Sequence, residues 1–469
     1  MWDSARRHLR EQLRLERGLP SLPGESVCGP IPLSATQMRM WHRELTTADG
    51  RFANNVAAPV VLLGVLDRPA LEYAVERVVR RHNALRTAFE ETPEGPRQRV
   101  RTVGGGGRIT YEDLSGGSPE MVDRRLAATV TERFDLTAGV PFRVVVFRRR
   151  PDDHIMLVVG HHLVLDGRSL SVILVEVARC YTEYLDGGPV RDDRPIVQLD
   201  QFVRWQGDWM RSAAAVPYER YWRSVLADPA FRRFGAHPFR RPSADDHSGG
   251  RVVCRVSAEV AARVDGFAAA EGVSSISVYL AAYQAVMEGC LGQRHVVVGI
   301  PAVNRGRAEL ADMVGLLANV LPVAVVEPAS RTLRSAVCLA ERSVAAAYVH
   351  QAMPIEHMTP REMPLLDPAE SPIDTFFAAY RQAVPEPVLM TGLELGPWPQ
   401  LRAKDTETPV MMTVFIDDDG ADVRLGYGEW ALSESAAHDL LAVYTALMDA
   451  GTRRPDVTLA SLLGTVGAP

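Results

Sequence analysis

The chain has 469 residues, more than one compact core ordinarily holds, so two lobes are expected. A net charge of -6, from 52 basic and 58 acidic side chains, excludes electrostatic recognition of nucleic acid as its business. No apolar run approaches the ~20 residues that span a bilayer, and charged residues break up the N-terminus, so a cytoplasmic protein with no membrane role is expected. The five cysteines are scattered without a C-x-x-C pair, and the twelve histidines show no metal-ligand spacing, so no metal site is expected.

In chain order, Ser4 to Arg17 reads as a short polar helix, capped by Asp3 or Ser4 and stopped by Gly18 and Pro20. It suits either a solvated arm or a docking helix for a partner. A second helix begins at Thr36-Gln37-Met38-Arg39-Met40-Trp41. Val60 to Val65 reads as a strand starting after Pro59, and Pro69 to Arg81 as an amphipathic helix. Val144–Arg148 and His154–Val159 flank Pro151-Asp152-Asp153, which signals a hairpin. Ser169 to Leu185 is helical, with Leu170, Ile173, Leu174, Val177 and Tyr181 on one side. These periods predict an α/β lobe over 31–190, after an N-terminal arm of 1–30. A polar connection over Arg232–Gly250 falls within a second lobe, 191–469. That lobe has helices at Ser257–Glu271, Ile276–Met287, Leu333–Val349 and Ser433–Ala450, with strands at Val296–Ile300, Val410–Ile416 and Val423–Tyr427.

The segment His161-His162-Leu163-Val164-Leu165-Asp166-Gly167 stands out, because it follows the apolar run Ile155–Val159 and ends in an Asp-Gly turn. Neighbours on an extended segment face opposite ways, so only one histidine can serve a given cavity. A histidine held at a strand end suits proton transfer near neutral pH. An isolated His-His pair is more often a pair of satisfied histidines at a strand edge.

The pair is not isolated. Ser34–Trp41 and Arg81-His82-Asn83-Ala84-Leu85-Arg86-Thr87-Ala88-Phe89 precede it. Asp200–Trp205, Val314–Pro322 and His350–Glu356 follow it. This series, over residues 31 to 463, resembles the condensation domains of nonribosomal peptide synthesis. The resemblance implies two chloramphenicol-acetyltransferase-like lobes forming a V-shaped pseudodimer, with a tunnel between them. It implies an acyltransferase-type enzyme joining a carrier-bound acyl or aminoacyl thioester to an amine or hydroxyl, giving an amide or ester. Acyl or peptidyl carrier proteins would be the partners, and the acceptor would be a small molecule or itself carrier-bound. The enzyme would bind no cofactor of its own, because phosphopantetheine arrives on the carrier. An acyltransferase of the same fold using acyl-CoA or a polyketide or lipid acceptor is the alternative.

The resemblance also assigns residues. His162 matches the active-site histidine, with Gly167 allowing close approach and offering its N–H to the developing oxyanion. His161 and Asp166 support the loop. Asp166 is expected to pair with an arginine, assigned to Arg86 with Arg81 as the alternative. Asn319, Arg168 and Trp41 are candidate tunnel residues, each also explicable as packing or surface. Arg168 stands where the condensation pattern has tryptophan, which leaves the subtype open. Both histidines are retained, which argues against heterocyclisation domains and against inactive recruiting relatives. The chain is expected to be either a free-standing enzyme or one domain cut from an assembly line, and the initial Met1 with the short N-terminal helix points to the first.

Overall fold

The computed structural model describes residues 15, 18–26, 29–46, 54–102, 109–187, 196–227, 248–292, 296–324, 331–358, 373–381, 390–396 and 408–466. Apart from Leu15, the helix read at Ser4–Arg17 lies outside them, as does most of the Arg232–Gly250 connection.

The strands in chain order are β1 Ile31–Pro32, β2 Asn55–Leu63, β3 Thr87–Glu90, β4 Arg97–Val100, β5 Ile109–Asp113, β6 Phe142–Arg150 and β7 Asp153–His161. They continue as β8 Gly249–Ser257, β9 Val297–Ala302, β10 Asn319–Ala324, β11 Thr375–Arg381, β12 Glu394–Gly396, β13 Val410–Asp417 and β14 Gly420–Gly428. A five-stranded sheet has the order β12-β2-β7-β6-β5, and a six-stranded sheet the order β10-β9-β11-β13-β14-β8. A small sheet, β1-β4-β3, completes the set.

The hairpin read around Pro151 is present, with Val144 opposite Val158 and Val146 opposite Met156. Its strands are apolar on both sides because both faces are covered. Val144, Val146, Met156 and Val158 enter the main core, whereas Val145, Phe147, Ile155, Leu157 and Val159 form a second cluster with Val122 and Leu126. The latter two come from the helix Pro119–Thr131, whose start is fixed by the Ser118 hydroxyl accepting from the Met121 N–H. The helices Arg68–Arg81 and Gly167–Leu185 bury their apolar faces in the main core. That core is continuous with the apolar helix Ser275–Leu291 and the six-stranded sheet of the second half.

Strand β2 begins at Asn55, before Pro59 rather than after it. Pro59 pairs in register with Leu157 on one side, and β12 on the other side reaches only Val61 to Leu63. The proline therefore occupies a stretch with one partner strand among the described residues, where a missing N–H is tolerated.

Strand β12 is the other departure from the sequence reading. It belongs to the second half by position but pairs antiparallel with β2, Leu395 opposite Leu62. A division at residue 190 therefore does not separate the sheets. Gly64 makes the crossing possible. Its φ is 126°, and a Cβ there would lie 2.5 Å from the Gly392 carbonyl oxygen. No helix among the described residues is long and apolar enough to cross a membrane.

Gly64→Ala is expected to destabilise the protein by about 1–3 kcal/mol, through backbone strain and the clash with Gly392. Denaturant unfolding measures this, and hydrogen exchange should locate the loosening in 390–396. An unchanged midpoint would show that the crossing has room to adjust.

Candidate active site

Strand alternation separates the two histidines. His161 has the parity of Ile155, Leu157 and Val159 and is buried, whereas His162, just past the strand end, keeps part of its surface exposed. The His162 N–H donates to the Asn54 carbonyl at 2.7 Å, which ties the start of the turn to the segment entering β2.

The His162 Nδ1 lies 2.6 Å from the Leu165 carbonyl oxygen. A carbonyl only accepts, so Nδ1 carries the proton and Nε2 keeps its lone pair. Burial also disfavours the imidazolium and lowers the pKa of His162 from the ordinary 6.5, although the Leu165 carbonyl opposes the shift. The loop thus presents a neutral imidazole with a defined tautomer.

His161 is tied down at both nitrogens. Its Nδ1 accepts from the Leu163 N–H at 3.2 Å, and its Nε2 lies 3.4 Å from Glu44 Oε2. Burial alone would raise the Glu44 pKa, but hydrogen bonds from His161, Asn54 and Arg133 outweigh it and bring the pKa down to about 2. Glu44 is therefore a permanent anion that anchors the ring of His161.

Asp166 caps the helix Gly167–Leu185, and Oδ1 accepts from the Ser169 N–H at 2.9 Å and the Ser169 hydroxyl at 2.8 Å. The arginine facing it is Arg305, from the loop after β9. Nη1 donates to Oδ2 and Nη2 to Oδ1, both at 2.9 Å, in a bidentate pair. The two side chains are 4% and 2% exposed, so each charge depends on the other. Oδ2 also accepts from the N–H groups of Leu317 and Ala318 at 3.1 Å. The Gly315 N–H donates to the Ser169 hydroxyl oxygen at 3.0 Å, and the Gly315 carbonyl, 2.9 Å from that oxygen, is a second acceptor facing its single proton. Burial would raise the pKa of Asp166, but the Arg305 charge and these donors hold it below its ordinary value.

Arg86, the arginine assigned from the sequence, does not reach Asp166. Its guanidinium donates to the Arg101 carbonyl and to the Asn83 side-chain oxygen, fixing the turn before β3. The alternative, Arg81, binds Glu176, which is also bonded to His82 at 2.8 Å. Arg305 was missed because its sequence context is only a polar Asn-Arg-Gly turn after a strand. Asn304, with a φ of 52°, makes that turn and donates to the Leu317 carbonyl at 3.1 Å.

The remaining candidates fall into two groups. Gly167 and Arg168 are exposed at the helix start, next to the histidine turn, and a Cβ on Gly167 would touch nothing within 4 Å. Asn319 and Trp41 are packing residues instead. Asn319 donates to the Gln351 and Met353 carbonyls at 2.9 and 2.7 Å, which uses its amide to hold the segment after Val349. Trp41 is 6% exposed, lies against Phe89, and donates to Glu91 at 2.8 Å.

The condensation-domain family model matches residues 27–369. The chain belongs to that family. It is 25% identical over 439 residues to chondramide synthase cmdD of Chondromyces crocatus, covering 92% of this chain and 11% of the synthase. It is 26% identical over 432 residues to tyrocidine synthase 3 of Brevibacillus parabrevis, covering 92% of this chain and 6% of that protein. The chain thus spans a small part of the synthases that it matches. Among solved structures, the X-domain from teicoplanin biosynthesis superposes with a TM-score of 0.81 at 21% identity, covering 94% of this chain and 99% of that one. The fold is accordingly that of condensation domains, with chloramphenicol-acetyltransferase-like lobes.

Removing one partner of the buried pair isolates the other charge. Arg305→Ala is therefore expected to cost about 3–5 kcal/mol. Arg86→Ala, which loses hydrogen bonds at a partly exposed turn, should cost about 1 kcal/mol. Denaturant unfolding of both variants checks the order, and a larger loss for Arg86→Ala would contradict the assignment of the clamp.

Proposed function

We propose that this condensation domain joins a carrier-bound acyl or aminoacyl thioester to an amine or hydroxyl acceptor in natural-product biosynthesis. The observation that carries the reading is the His162 imidazole, neutral and oriented by the Leu165 carbonyl with its Nε2 lone pair left over. The acceptor nitrogen or oxygen attacks the thioester carbon, and Nε2 takes the acceptor's proton as the new bond forms. Negative charge develops on the thioester oxygen. Of the first N–H groups of the helix Gly167–Leu185, that of Ser169 is taken by Asp166, so those of Gly167 and Arg168 are the ones assigned to this oxygen, and Gly167 leaves room for it to approach. Collapse of the intermediate breaks the carbon–sulfur bond, the released thiolate takes the proton back from Nε2, and the amide or ester leaves with the imidazole neutral again. The phosphopantetheine arm is part of the substrate in this scheme, and acyl or peptidyl carriers are the partners. Arg168, exposed beside Gly167, is assigned to the mouth of the substrate tunnel between the lobes.

His162→Ala is expected to lower turnover of an acyl-loaded carrier with an amine acceptor by about 10²–10⁴-fold, measured by product mass spectrometry. Turnover equal to that of the unaltered protein would overturn the role of His162. Faster reaction with acyl-CoA than with the carrier would favour a coenzyme-A-dependent acyltransferase.

The pH dependence follows from the same ring. Because burial lowers its pKa, His162 stays neutral as pH falls through 6.5, and kcat/KM should decline only below that value. An acid limb centred at or above 6.5 would contradict this environment.

A further inference from the structure

The segment Gly18–Ser26 lies across the helix Leu199–Met210 and reaches the loop that carries Arg305. Its Pro20 carbonyl accepts two hydrogen bonds, from Trp205 Nε1 at 2.9 Å and from Arg307 Nη1 at 2.8 Å. The Arg307 guanidinium also lies over the Trp205 ring, 5.6 Å from its centroid. Further along, the Pro23 carbonyl accepts from Gln201 Nε2 at 2.8 Å, and the Ser26 hydroxyl donates to Asp200 at 3.2 Å. The Glu25 carbonyl accepts from Arg204. Leu19 lines a shallow cleft together with Phe202, Trp205, Arg307 and Leu310.

We propose that this arm is a strap that positions the Arg305 loop, with Arg307 and Trp205 as positioning residues for the active site. One carbonyl joins an indole on the helix Leu199–Met210 to a guanidinium two residues from the clamp. Arg305 in turn holds Asp166 and donates to the Ser169 hydroxyl and the Met313 carbonyl. Displacement of the arm withdraws the acceptor shared by Trp205 and Arg307. The loop 303–307 then gains freedom, which passes to Asp166 and the turn presenting His162.

The strap rests on the proposed function only for its catalytic consequence, so the test has a readout that needs no substrate. Hydrogen exchange is compared in the full chain, Arg307→Ala and Trp205→Phe, the latter keeping a ring but losing the N–H. Both variants are expected to raise exchange at Leu317 and Ala318, whose N–H groups bind Asp166, by about tenfold, with the helix Glu434–Arg453 unchanged. In the condensation assay, kcat should fall with KM for the carrier unaltered. Release of 18–26 without faster exchange at 317–318 would overturn the proposal and leave the arm a surface fastening. A uniform rise across the whole molecule would overturn it too. Local loss of protection in a protein that turns over no carrier substrate would sustain the strap and sink the functional reading.

Discussion

The pair between Asp166 and Arg305 is the interaction on which the site depends. It combines three tasks in one carboxylate: capping a 19-residue helix, receiving a bidentate guanidinium, and satisfying two backbone N–H groups of the Val314–Pro322 motif. Buried ion pairs contribute little net stability compared with apolar replacements, since desolvation consumes most of the attraction. What such a pair supplies here is geometry. The helix start, the histidine turn and a loop from the other sheet meet at one oxygen-rich point, with the Ser169 hydroxyl filling the space between them.

The chemistry of the histidine turn follows from that fixity. Leu163, Val164 and Leu165 are fully buried, so the turn is a core element rather than a surface loop. Gly160 is required beneath it, because a Cβ there would lie 2.1 Å from a Leu165 methyl carbon. With Leu165 packed against Gly160, its carbonyl is held where it selects the tautomer of His162. An imidazole oriented by packing needs little reorganisation when it receives a proton. Glu44, drawn into the charged state by three donors, does for His161 what Leu165 does for His162.

The helices were legible in the sequence because their caps and apolar periods agree. Ser257, Thr332 and Ser433 each cap the following helix through their hydroxyls, at or next to the residue where the periodicity begins. The strands β6 and β7 were legible for a similar reason, being long and apolar on both faces. The histidine turn was legible because its residues are contiguous. The clamp was not, because Asp166 and Arg305 are 139 residues apart and no local pattern links them. Asn319 shows the reverse difficulty. A polar residue within an apolar motif resembles a ligand contact, yet its amide is absorbed by the Gln351 and Met353 carbonyls. Composition cannot distinguish a polar group aimed at a substrate from one aimed at the backbone.

The crossing of β12 onto β2 bears on how this fold tolerates being divided. Three residues from the second half complete the edge of the first half's sheet, through the pairing of Leu395 with Leu62 and Gly396 with Val61. A fragment ending near residue 190 would leave that side of Val61–Leu63 with unpaired N–H and C=O groups beside a row of buried valines and leucines. Such an edge is a template for pairing with another chain. The short crossing strand therefore guards the first half against self-association, a service that none of that half's described residues provides.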